Sequence, residues 1–100
     1  MPFRWGLIFL SCPIPMEEEH KQALVRLAAA AYFDDTAEVD FDWPAFKGTV
    51  RATSDTVALG SFVGQRFEAE VHLPEGSAML RFLVAEAHLQ QAWGQPVAEA

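Results

Sequence analysis

One hundred residues with a formal charge of −7, a pI near 4.7 and 51% apolar side chains describe one acidic domain able to bury its own core. The charge disfavours direct contact with nucleic-acid phosphates or anionic membranes, and the apolar content excludes a disordered chain. The single cysteine, Cys12, cannot close an internal disulfide, which suits a reducing, cytoplasmic setting.

Arg4 to Cys12 is rich in aromatic and branched residues on both faces. It reads as a strand covered on both sides, since its apolar run is at the short limit for an export signal. Cys12-Pro13-Ile14-Pro15 breaks it. From Met16 to Phe33 the spacing predicts a helix, with Met16, His20, Leu24, Leu27 and Ala31 on one stripe. Glu17, Glu18 and Glu19 suit the positive end of its dipole.

After Asp34-Asp35-Thr36, Glu38 to Trp43 alternates polar and apolar, the pattern of a half-buried strand, and Pro44 marks its end or an edge. Lys47-Gly48 reads as a turn, Thr49–Ser54 as a further strand, and Val57–Val63 as a strand closed by Gly64-Gln65. Arg66–Leu73 alternates most cleanly, with Phe67, Ala69, Val71 and Leu73 inward and Arg66, Glu68, Glu70 and His72 outward. Pro74-Glu75-Gly76-Ser77 ends that strand. Ser77 then serves as N-cap of a second helix carrying Ala78, Phe82, Ala85, Leu89 and Ala92 on one face as far as Trp93. Gly94 stops it, and residues 95–100 form a loose tail. The expected fold is α+β over residues 1–100: a single antiparallel sheet with two helices packed on one face, in β-α-β-β-β-α order, as a ferredoxin-like or split β-α-β variant.

The acidic segment Asp34, Asp35, Glu38, Asp40 and Asp42 is the most unusual feature. In a strand, Glu38, Asp40 and Asp42 stand on one face about 6.7 Å apart. They repel one another by only about 0.6 kcal/mol in water, so such a row is cheap to keep exposed and can steer a basic surface. Trp43-Pro44-Ala45-Phe46 follows directly. Trp43 and Phe46 are candidate interface anchors beside the acids, whereas the other aromatics, Trp93 among them, fit core positions.

No chemistry-bearing motif accompanies them. The calcium-loop pattern is missing, and His20, His72 and His88 lack metal-ligand spacing. Gly60-Ser61-Phe62-Val63-Gly64 is neither a nucleophile elbow nor a phosphate loop. No catalytic residue, metal or cofactor is expected.

Two short stretches resemble known families. Pro2 is similar to the N-terminal proline of the tautomerase superfamily, which implies a base once the initiator methionine is removed. Phe67–His88, under a quarter of the chain, is similar to the last strand and helix of the antibiotic-monooxygenase-like dimeric barrels. That likeness implies a homodimer with an apolar pocket near Arg66, His72 and His88.

Size, charge and the acid row predict a small non-enzymatic protein-binding module or inhibitor, of the immunity, antitoxin or phage anti-defence type. Its partner is a larger protein with a basic surface, such as a nucleic-acid-binding protein, met by Asp34, Asp35, Glu38, Asp40, Asp42, Trp43 and Phe46. The alternatives are a small dimeric enzyme or ligand-binding protein, and a phage structural or assembly subunit.

Overall fold

Seven elements follow one another along the chain: β1 (Leu7–Ser11), α1 (Glu18–Phe33), β2 (Glu38–Asp42), β3 (Lys47–Leu59), β4 (Phe62–Leu73), β5 (Gly76–Ala85) and α2 (Glu86–Ala92). The computed structural model describes residues 6–34, 37–44 and 46–93. The strands form one antiparallel sheet in the order β1-β5-β4-β3-β2. β1 and β2 therefore point the same way from opposite edges, joined by α1 and separated by three strands. Of the two topologies expected, the split β-α-β one forms.

Alternation decides which face is covered. In β4, Phe67, Ala69 and Val71 are buried while their neighbours Glu68 and Glu70 are half-buried and His72 is exposed. Their partners in register, Phe82, Leu80 and Ala78 on β5 and Ala52, Val50 and Gly48 on β3, extend the same apolar face. Phe67 stacks on Phe82 with ring centroids 5.7 Å apart, and Phe9 meets Phe82 edge-on from β1. α1 lays Leu24, Leu27, Ala28 and Ala31 into this layer, packing on β2, β3 and α2. Ala28, Ala29 and Ala31 are wholly buried, and their small size lets the helix lie close. Gly48 is required for a different reason: a Cβ there would collide with the backbone carbonyl of Glu70.

The segment expected as a helix from Ser77 is instead β5 as far as Ala85, and only Glu86–Ala92 is helical. Pro74-Glu75 is the loop of a hairpin whose last pair is Leu73 with Gly76. Once the chain turns back on β4, the period-2 set Ala78, Leu80, Phe82 and Val84 faces the core and displaces the helical reading. The likeness of Phe67–His88 to a strand–helix barrel end lapses with it. Likewise, Lys47-Gly48 opens a strand rather than forming a turn. Thr49–Ser54 and Val57–Val63 are not separate strands. β3 runs through both as far as Leu59, with an irregularity between Ala52 and Thr56, and turns at Gly60-Ser61 into β4. Four strands thus follow α1.

β1 is an edge strand whose Leu10 is exposed, so it is not covered on both sides. The reading of Pro2 lies outside the described residues, as do the tail 95–100 and Asp35.

Gln65 falls on the inward side of β4 and is buried. Its amide donates to Thr56 Oγ1 at 2.8 Å and to Glu86 Oε2 at 3.1 Å, tying the irregular part of β3 to the first turn of α2.

Candidate functional site

The alternation that sends Val39 and Phe41 toward α1 puts Glu38, Asp40 and Asp42 together on the opposite, helix-free face, and all three are exposed. Strand pairing then gives each acid a neighbour on β3. Arg51 Nε donates to Glu38 Oε1 at 3.2 Å, Thr49 Oγ1 donates to Asp40 Oδ1 at 2.7 Å, and Asp42 stands in register with Lys47. The acid row is real as geometry, but Glu38 and Asp40 are partnered within their own molecule. Asp34 is elsewhere, at the C-terminal cap of α1, where its carbonyl accepts the N–H of Ala37.

The pairing continues across the sheet as three rows. The first runs Arg81, Glu68, Arg51, Glu38 from β5 to β2; the second Met79, Glu70, Thr49, Asp40; the third Ser77, His72, Lys47, Asp42. Seen along the strands, acids line β2 and lie at Glu68 and Glu70 on β4, with Lys47 and Arg51 between them on β3 and Arg81 beside Met79 and Ser77 on β5, so the first row alternates in sign along its whole length. In the first row, Arg81 approaches Glu68 at 4.0 Å and Arg51 approaches Glu38 at 3.2 Å. Exposed pairs of this kind contribute about 0.2–1 kcal/mol each to folding. With Arg66, the face carries five acidic and four basic side chains, so the surplus that makes the chain −7 is not concentrated here. Leu83 departs from the polar pattern: on this face beside Ile8 and Arg66, it is only 1% exposed.

Trp43 does not stand out as an anchor. It is 6% exposed and joins a ring cluster with Phe41 at 4.5 Å and His20 at 5.7 Å, with Phe46 closing on His20 at 5.2 Å. The Trp43 N–H donates to the Phe46 carbonyl at 2.7 Å, which closes the β2–β3 hairpin and folds the loop onto α1. His20 is buried with them, as its place on the helical stripe implied, and its Nδ1 has no partner.

An open cleft of about 490 Å³ lies where the stripes meet this loop, lined by Asp42, Trp43, Pro44, Phe46, Lys47, His72, Leu73 and Pro74. Three of the expected site residues, Asp42, Trp43 and Phe46, meet there with His72 and Lys47. The residues missed from sequence are Lys47, Arg51, Glu68, Glu70 and Arg81. The outward alternation of β3 and β4 carried the signal for the first four, whereas Arg81 was hidden by the helical reading. A second aromatic group, Tyr32, Phe33 and Trp93, is exposed at the end of α1, so Trp93 is not a core residue.

Among the described residues no group of three or more His, Cys, Asp or Glu side chains could hold a metal ion, and no helix is long and apolar enough to cross a membrane. Cys12 is half-buried, with its thiol directed at the Ile14 carbonyl at 3.1 Å. No protein family, curated protein or solved structure matches this chain.

Proposed function

We propose that this chain is a non-enzymatic protein-binding module that docks by the helix-free face of its sheet. The observation that carries the reading is the set of in-register charge stripes on that face. Stripes of alternating sign fix the orientation of a partner and speed its approach more than they add affinity. The outer stripe, Glu38, Asp40 and Asp42, meets basic groups, as the acidic segment suggested. The next stripe, Lys47 and Arg51, requires acidic groups beside them. A uniformly basic surface, such as that of a nucleic-acid-binding protein, fits poorly for this reason. The cleft at the end of the stripes offers aromatic and proline walls to one inserted side chain.

Affinity capture from cells of its source, comparing the wild type with Asp40→Lys/Asp42→Lys, tests the reading. The wild type is expected to retain proteins that the variant loses, with retention falling as salt rises. A set of retained proteins that ignores both substitutions would remove it.

A further inference from the structure

We infer that the partner this face fits is a second copy of itself, packed sheet to sheet about a two-fold axis running parallel to the strands between β3 and β4. The inference rests on the docking reading above and names its partner. Such an axis lays β3 over β4 of the other protomer and β2 over its β5. Because the first row alternates in sign across four strands, reversing its order inverts each of its signs. Arg81 then stands over the partner's Glu38, and Arg51 over the partner's Glu68, each pair occurring twice by symmetry.

The other rows add no opposite-charge pair. Thr49 lies over the partner's Glu70, Lys47 over the partner's His72, and Asp42 over the partner's Ser77. In none of the three rows does a carboxylate fall over a carboxylate, or a lysine or arginine over another. The competing arrangement, with an in-plane axis perpendicular to the strands, lays each stripe over its own copy and sets acid on acid. The first row thus fits a second copy on this axis, and the acids of β2 disfavour the other axis.

Four strands measure about 14 Å across, and a ten-residue strand such as β5 runs about 33 Å. This is less surface than the roughly 800 Å² per partner of a standard stable interface, so the pair is weak and salt-sensitive.

Sedimentation equilibrium of the purified chain tests the inference over about 10 μM to about 1 mM at low ionic strength. A dimer is expected that weakens about tenfold when salt is raised. Arg81→Glu alone, or Glu38→Arg alone, places like charges over each other at both ends and weakens it about tenfold or more. The double variant Glu38→Arg/Arg81→Glu restores opposite signs between protomers, while setting like charges side by side within each one. It is expected to regain dimerisation to within about threefold of the wild type and yet be the least heat-stable of the four proteins. A role confined to one protomer moves both readouts together.

A wild type that stays monomeric, or a double variant that associates no better than either single one, overturns the inference. Should the monomeric protein still capture another protein through Asp40 and Asp42, the docking reading stands without the second copy. Dimerisation indifferent to every one of these charges overturns the inference and leaves the docking reading to the capture through Asp40 and Asp42.

Discussion

The imidazole of His20 lies nearly parallel to the indole of Trp43, with centroids 5.7 Å apart and planes inclined by 13°. This contact pins the β2–β3 loop to α1, so Trp43 belongs to the fold before it belongs to any interface. Trp43→Ala is expected to lower stability by about 3–5 kcal/mol, the range for a large ring lost from a core. His20→Phe keeps a ring in the stack and removes a buried nitrogen that has no partner. Its melting temperature should equal or exceed the wild type's, whereas His20→Ala is expected to lose about 1–3 kcal/mol of stability. Thermal unfolding followed by circular dichroism separates the three.

Ala37 has φ of 57°, left-handed backbone that a residue with a Cβ adopts at a cost. Its N–H donates to the Asp34 carbonyl and its own carbonyl accepts from Ala52, which holds the conformation in place. Ala37→Gly is expected to stabilise the protein by about 0.5–1 kcal/mol, a rise of several degrees in melting temperature for a chain of this size. A fall in melting temperature would contradict the assignment.

Gly48→Ala presses a methyl group against the Glu70 carbonyl, backbone that cannot move without breaking the β3–β4 ladder. A loss of about 2 kcal/mol or more in urea unfolding is expected. Gly6 reports a second such contact at the other edge. It has φ of 61°, and a Cβ there would meet the His88 ring. Gly6→Ala should destabilise comparably, through α2 rather than through the hairpin.

Gln65→Ala removes both hydrogen bonds that reach Thr56 and Glu86. We expect a loss of about 1–3 kcal/mol, with faster amide exchange in Glu86–Ala92 than in β4. Uniform loss of protection across the chain would show that α2 is not held separately by this residue.

Removing the charges of the open face should leave the fold nearly untouched. Arg51→Gln and Glu68→Gln are each expected to change stability by less than about 1 kcal/mol, measured by the same unfolding curves. A larger loss would mean that the ladder is a structural device first.

What could be read from sequence follows burial. β2 and β4 announced themselves because one side of each faces α1 or the core and the other faces water, so Phe41, Phe67, Ala69 and Val71 alternate against charges. β5 did not, because its outward side carries Met79 and the buried Leu83 beside Arg81, and Ala78, Phe82, Ala85 and Leu89 also fit a helical stripe. Only the Pro74-Glu75 hairpin decides between the two periods. The acid row was legible as a row, but the pairing of Glu38 with Arg51 depends on the β2–β3 register, which follows from a four-residue loop that local spacing did not specify. Whether Trp43 points outward or inward depends on His20, 23 positions earlier, and no local pattern records that.

β1 meets the sheet only through β5, with Leu7 opposite Val84. β1 is the first strand in the element order and β5 the last, so β1 finds no partner until all the other strands have been made, and any event that peels it away bares the backbone amides and carbonyls of a ten-residue strand. Such a strand is a ready template for unwanted strand addition. Self-association of that origin would grow with heat and time rather than vanish in salt.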